Sequence, residues 1–264
     1  MPELAEVEFI RKRWDPGLRQ KVLRVGLHGE KRVFRGADLD LLRDGLAGAT
    51  LLGSEARAKQ MLFRFSRGLW LGIHLGMTGE LRVEPPKFEP GKHDHLALFQ
   101  KKQTLVFQDP RQFGRVRIAE GDEPPDWWTS LPPEVVSEGW TKDRLHAFLQ
   151  RRKRLAIKAA LLDQTAFPGI GNWMADEILW RIRFHPKRPC GRLTQHQIDE
   201  LWRDCREVCR IVLATTGVDY SDPPDDWFFH QRWSNHGECP RDGSPLKTAT
   251  VGGRTTRWCL KCQR

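Results

Sequence analysis

The sequence predicts an α+β chain of several modules: a β-rich first half flanked by a helix, a helical second half and a small cysteine-bearing tail. Three patterns carry that reading. From about residue 20 to 118, short apolar runs such as LWLGIHL and TLVF, with alternating charge in RVRI, are bounded by Gly and Pro. That is the signature of an antiparallel sandwich or barrel. From about 141 to 214 the period turns helical, in LHAFL, LAIKAALL, MADEILWRI and IDELWRDCREVCRIVL. Beyond that, Cys239, Cys259 and Cys262 crowd the last 26 residues.

The elements follow in order. Leu4, Val7, Ile10 and Trp14 recur at three- and four-residue steps among charges, which predicts an amphipathic helix over residues 3–14. The strands come next, and the acidic, proline-bearing EGDEPPDW (120–127) reads as a linker. The helices follow, and a second such break, DYSDPPDD (219–226), precedes the tail. Clefts are expected where a β-rich and a helical half meet.

Lys and Arg number 44 against 34 Asp and Glu, a formal charge of +10 in 264 residues. Such an excess suits a polyanionic partner, of which nucleic acid is the commonest. No run approaches the ~18 apolar residues of a membrane span. The opening MPELAEVEF carries acids where a signal peptide carries bases. The protein is therefore expected to be cytoplasmic, and its cysteines to serve as thiols or metal ligands rather than disulfides.

Initiator methionine is normally removed when the second residue is small, which would make Pro2 the terminus. An α-amino group titrates near ~7.7–8.0, so a useful fraction is neutral and nucleophilic at cellular pH. At a helix N-terminus the positive dipole end lowers that value further. A secondary amine attacking an anomeric carbon forms a cationic iminium, an electron sink suited to β-elimination. Glu3 and Glu6, three apart on one helical face, would then donate and orient a proton. Taken alone, the segment has a plainer reading: proline favours the first helical position, and acids there complement the dipole.

Six segments, in order, decide between these. PELAEVE, ARAKQML with Lys59, HLGMTGEL with His74 and Met77, KHDH with His93, DPRQFG with Arg111 and Phe113, and DQTAFPGIGNWMADEILWRIRFHP with Asn172 together resemble the formamidopyrimidine-DNA glycosylase and endonuclease VIII family. The resemblance spans essentially the whole chain. It implies an N-terminal β-sandwich domain over 1–122, a linker over 123–140, a helix–two-turn–helix DNA-binding domain over 141–226 and a zinc-finger-like β-hairpin over 227–264.

It also implies roles. Pro2 is the nucleophile, Glu3 the general acid that opens the sugar ring, and Lys59 reaches the DNA backbone and active site. Met77 fills the hole left by an extruded base, Arg111 contacts the orphaned partner and Phe113 wedges the stack. These parts fit the chemistry, because a base must be flipped out before it is excised, and an inserted apolar wedge offsets the unstacking. His74, His93 and Asn172 join the DNA contacts, and Arg254 in GGRTTRW grips the phosphates flanking the lesion.

The tail departs from the family's four-cysteine zinc finger. Its frame is Cys239-x2-Asp242-x16-Cys259-x2-Cys262, with aspartate at the second ligand position. Three thiolates and one carboxylate still make a tetrahedral set. His236 is an alternative fourth ligand, and a zinc-free hairpin the alternative to both. The tyrosine usual after the GxGN motif is replaced around Trp173-Met174, and the 217–239 stretch is shorter than the loop that caps flipped 8-oxoguanine in typical members.

The expected activity is that of a monomeric, bifunctional DNA glycosylase and abasic-site lyase acting on damaged double-stranded DNA, without a small-molecule cofactor. Oxidised or ring-opened purines are the expected substrates, given the void-filling set. The short loop keeps an oxidised-pyrimidine substrate open, and a non-catalytic binder of damaged DNA is the rival of another class.

Overall fold

The computed structural model describes residues 1–234 and 236–264. They divide into two compact units, one of residues 1–2 and 6–131, the other of residues 3–5 and 132–264.

Helix α1, Leu4–Lys12, opens the chain. It is shorter than the periodicity predicts: at its end Trp14 leads into a 3-10 turn over Asp15–Gly17, with Pro16 near the start. At its beginning Glu3 lies ahead of the helix, so it does not share a helical face with Glu6. The physical reason is that the Glu3 carboxylate is drawn to another helix start, described below.

In the first unit, eight strands follow: β1 (Val22–Leu27), β2 (Leu51–Arg57), β3 (Gln60–Phe65), β4 (Leu69–His74), β5 (Glu80–Glu84), β6 (Asp94–Gln100), β7 (Thr104–Gln108) and β8 (Arg115–Glu120). They form two antiparallel sheets, ordered β1-β6-β7-β5 and β2-β3-β4-β8. Period-two alternation builds the sandwich. Met61, Phe63 and Phe65 of β3 and Leu96 and Leu98 of β6 face one shared core with Val7, Ile10 and Trp14, all buried. Leu62 points the other way, onto Trp70 and Trp128. Trp128 lies on the short helix α2 (Asp126–Thr129), so part of the segment expected as a linker packs on this unit.

In the second unit, α3 (Lys142–Arg151) is capped by Thr141, whose hydroxyl accepts from the Arg144 amide. Then come α4 (Ile157–Leu161), α5 (Asn172–Arg181) and the long α6 (Gln195–Ala214), which begins with a reciprocal capping box between Thr194 and Gln197. Helix α7 (Thr216–Asp219) precedes a hairpin of β9 (Leu246–Val251) and β10 (Arg254–Cys259). Phe167, Met174, Ile178, Leu201 and Val208 form the core of this unit. Among the described residues no helix is long and apolar enough to cross a membrane.

Candidate functional site

In the first unit, the ends of β4 and β8 gather cations. His74 pairs with Arg115 across the two strands and with Gln60 of β3. Its Nδ1 accepts the Gly76 amide at 3.0 Å, leaving Nε2 to carry the ring proton. Burial, then the nearby charges of Lys59, Arg35 and Arg117, pull its pKa to about 4, so the ring is neutral at cellular pH. Lys59 sits in the β2–β3 turn and is buried. Arg35 and Arg117 are held below the usual guanidinium value by desolvation first and then by Arg115, with Arg32 adding to the effect on Arg35 and Arg35 to that on Arg117. Mutual repulsion of this kind is relieved by a bound polyanion.

Next to this cluster, two loops carry Met77 on one side and Arg111 and Phe113 on the other. Asp109, fully buried, ties them together. Its Oδ1 accepts the Thr78 hydroxyl at 2.7 Å and the Arg111 amide at 3.2 Å. Its Oδ2 accepts the Gly114 amide at 2.7 Å. Its own amide donates to the His93 carbonyl at 3.1 Å, and the His95 ring donates to its carbonyl at 2.8 Å. The Arg111 guanidinium lies 4.8 Å from the centre of the Phe113 ring, which is 41 % exposed. Met77 is half-buried on its turn.

Pro2 is half-buried, two residues ahead of α1, and Glu6 lies half-buried in its first turn. In the second unit, Glu3 is 2 % exposed and sits on the N-terminus of α5. Its carboxylate accepts the amides of Gly171 and Trp173 at 2.9 Å each and of Met174 at 3.2 Å. An acid at a helix start satisfies amides that have no partner within the helix. Gly171 is required for this approach, since a Cβ there would lie 2.2 Å from the Glu3 carboxyl carbon.

Asn172 begins α5 and donates through Nδ2 to the Thr255 carbonyl at 2.9 Å, tethering the hairpin to the helix start. Arg254 is exposed, directly after the Gly252-Gly253 turn, where φ is 61° and 72°. Beneath this start, Lys158 of α4 donates to the Asn172 carbonyl and to Asp176, each at 2.6 Å. Arg232 donates to the other Asp176 oxygen at 2.8 Å. All three charges are buried, and their pairing offsets the cost of leaving water. The 219–226 break is tied down too, with the His230 ring donating to the carbonyls of Pro223 and Pro224 at 2.9 and 3.1 Å.

The tail brings together Cys239, Asp242, Cys259 and Cys262, with one donor atom from each within 4.8 Å of the others. The Cys239 and Cys262 sulfurs are 3.6 Å apart, and Cys259 Sγ lies 3.4 Å from Asp242 Oδ2. Tetrahedral zinc with bonds of about 2.3 Å to sulfur and about 2.0 Å to oxygen requires separations of about 3.7 and 3.5 Å, so the set fits. Outer partners are present as well. The Trp180 indole donates to Cys239 Sγ at 3.3 Å, while Ser244 donates its amide at 2.9 Å, and its hydroxyl, to Asp242 Oδ1. His236 is not one of the gathered donors.

The sequence profile of the formamidopyrimidine-DNA glycosylase N-terminal domain matches residues 1–116, and that of the formamidopyrimidine-DNA glycosylase H2TH domain matches residues 131–221. The chain belongs to the formamidopyrimidine-DNA glycosylase family. Its relatives include the formamidopyrimidine-DNA glycosylases of Laribacter hongkongensis, 35% identical over the full length of both chains, and of Thermus thermophilus, 36% identical over all of this chain and 98% of that one. Solved structures of the Lactococcus lactis formamidopyrimidine-DNA glycosylase share the fold. One, with DNA containing an oxidised pyrimidine, has a TM-score of 0.89 at 27% identity over 100% of both chains. Another, bound non-covalently to DNA with an abasic site, has a TM-score of 0.87 at 26% identity over 99% of each. As a family member the protein is a DNA-repair glycosylase with an α+β, multi-unit fold.

Several residues of this arrangement carry no functional signal of their own in the sequence. Asp109 lies in DPRQFG and Thr78 in HLGMTGEL, but nothing in their spacing shows that one bonds the other. Lys158 is the lone cation in LAIKAALL, and Asp176-Glu177 the lone acids in WMADEILW. Charges set into apolar runs were the available signal.

Proposed function

We propose that the protein excises damaged bases from double-stranded DNA and then breaks the strand as an abasic-site lyase. The observation that carries the proposal is the fixed carboxylate of Glu3, the residue after Pro2 in sequence, 2 % exposed and held by three backbone amides of the α5 start.

In this reading the Pro2 amine, free once Met1 is removed, attacks C1′ of the damaged nucleotide. The C1′–N bond breaks, and the departing base takes a proton from solvent. The Pro2 N–H proton passes to the Glu3 carboxylate, which delivers it to the sugar oxygen as the C1′–O bond breaks, leaving a cationic iminium between Pro2 and C1′. The Glu3 carboxylate then takes the C2′ proton, the electrons of that bond flow into the iminium, and the C3′–O bond breaks with loss of the phosphate; a second elimination would release the 5′ oxygen. Glu6 and Lys59 orient protons and the backbone near this centre. A neutral His74, whose Nδ1 is taken by the Gly76 amide, acts through its Nε2–H as a donor to a phosphate rather than as an ion. Arg111, Phe113 and Met77 enter the duplex, while His93, Asn172 and Arg254 hold its backbone. Much of the affinity then rests on phosphate contacts, which weaken with salt.

Cys239, Asp242, Cys259 and Cys262 would hold zinc, which on binding would cross-link the hairpin that presents Arg254. The void-filling set favours oxidised or ring-opened purines. The short, tied-down 219–226 segment favours oxidised pyrimidines as the second reading. A panel of duplexes with single defined lesions distinguishes them: faster release of 8-oxoguanine and formamidopyrimidines supports the first, and faster release of oxidised pyrimidines the second. Binding to damaged duplex with no base release from any member would leave only the non-catalytic binder.

A further inference from the structure

The Met77 turn and the Arg111–Phe113 loop meet through backbone as well as through Asp109. Gly76 has φ of 63°, and a Cβ there would lie 2.4 Å from the Phe113 carbonyl carbon and 2.5 Å from the Gly114 nitrogen. The turn therefore rests directly on the Phe113–Gly114 peptide. The Thr78 hydroxyl bond to Asp109 closes this contact from the other side. Thr78 is an exposed residue whose methyl and backbone need no such partner, yet its hydroxyl is aimed at a fully buried carboxylate. The same carboxylate holds the Arg111 and Gly114 amides. One acid thus fixes both ends of the wedge loop and the residue after Met77.

We infer that Thr78 and Asp109 form a coupling latch, which makes Met77, Arg111 and Phe113 one rigid body that enters the duplex in a single step. The inference rests on the reading that these three side chains intrude into DNA. Thr78 and Asp109 are positioning residues in this scheme: they touch no base, and set the spacing of the groups that do. Without the latch, the Met77 turn and the wedge loop enter separately, and the void left by the extruded base fills later than the stack opens.

The test uses a lesion duplex with 2-aminopurine beside the damaged base, whose fluorescence rises as the stack opens. Destacking is followed by stopped flow and base release by single-turnover quench for wild type, Thr78→Val, Thr78→Ser and Met77→Ala. Melting temperatures confirm that each variant is folded, and Thr78→Ala replaces Thr78→Val should the latter not fold. The latch predicts that Thr78→Val slows destacking about tenfold, the scale of one hydrogen bond to a charged group. It predicts that Thr78→Ser, which keeps the hydroxyl, stays within about twofold of wild type. Wild-type speed in Thr78→Val beside a slow Met77→Ala would overturn the latch and leave the intrusion reading standing. A Thr78→Ser as slow as Thr78→Val would overturn it too, since the hydroxyl is retained. Wild-type speed in both Met77→Ala and Thr78→Val would overturn the intrusion reading and the latch with it.

Discussion

The Glu3 carboxylate accepts the Trp173 amide at 2.9 Å across 170 positions of sequence. The residue after the proposed nucleophile is thereby positioned by a helix start, not by its own helix. Glu3→Gln keeps the shape but removes the charge that faces the α5 dipole. Base release should fall at least about 100-fold, the scale of a lost general acid. Stability should fall by about 1–2 kcal/mol. Single-turnover excision and urea unfolding measure the two effects, and excision within about twofold of wild type would remove Glu3 from the chemistry.

Glu177 gives a pH-dependent stability of defined sign. It is fully buried on α5, its Oε2 accepts the Phe229 amide at 2.9 Å, and its Oε1 is without a partner among the described residues. Burial lifts its pKa from 4.5 to about 8, against the opposing backbone bonds and Arg181. Between those values the folded state holds a proton that the unfolded state has lost, so stability is full below about 4.5 and declines as pH rises to about 8. His74 acts oppositely: with its pKa at about 4, its contribution is full above about 6.5 and is lost as pH falls. Urea unfolding of Glu177→Gln between pH 5 and 9 should show a flatter profile than wild type, with its relative gain largest near pH 8. Parallel profiles would contradict the assignment.

The tail should bind one zinc per chain. Elemental analysis of Asp242→Ala should show most of that zinc lost, and Asp242→Cys should retain it. Ser244→Ala, which releases Asp242 Oδ1, should weaken zinc affinity about tenfold in a chelator competition. A metal-free wild-type protein that resists chelators in its stability would end the zinc reading.

Phe113 is exposed enough for Phe113→Ala to leave folding nearly unchanged. It should slow lesion recognition in a mixture of damaged and undamaged duplex several-fold. Affinity for undamaged duplex rests on phosphates and should change much less. Both quantities come from competition binding with and without a lesion, and an equal loss in both would assign Phe113 to general binding.

These expectations separate what the sequence carried from what only folding disclosed. The sandwich was legible because Met61, Phe63 and Phe65 alternate with residues facing the other way, and a period of two is a property of the string itself. The helical unit was legible for the same reason at a period near 3.6. The gathering of Cys239, Asp242, Cys259 and Cys262 was legible from their spacing. Glu3 was legible as an acid beside Pro2, but its seat on α5 depends on a contact between residues 3 and 173, and no local period encodes that. The late start of helix α1, at Leu4, has the same cause, whereas its early end follows from the turn at Asp15–Gly17. The Asp109 hub was hidden because its partners come from three segments, at Thr78, at His93 and His95, and in the Arg111–Gly114 loop, which acquire a common centre only when the sheets form.

The most direct test of the central claim is borohydride trapping of the protein on an abasic-site duplex, with mass analysis of both the free chain and the adduct. The account predicts a free chain one methionine lighter than the gene product and a covalent DNA adduct mapped to Pro2, absent in Pro2→Gly. No adduct from wild type, or an adduct that persists in Pro2→Gly and maps to Lys59, would contradict it.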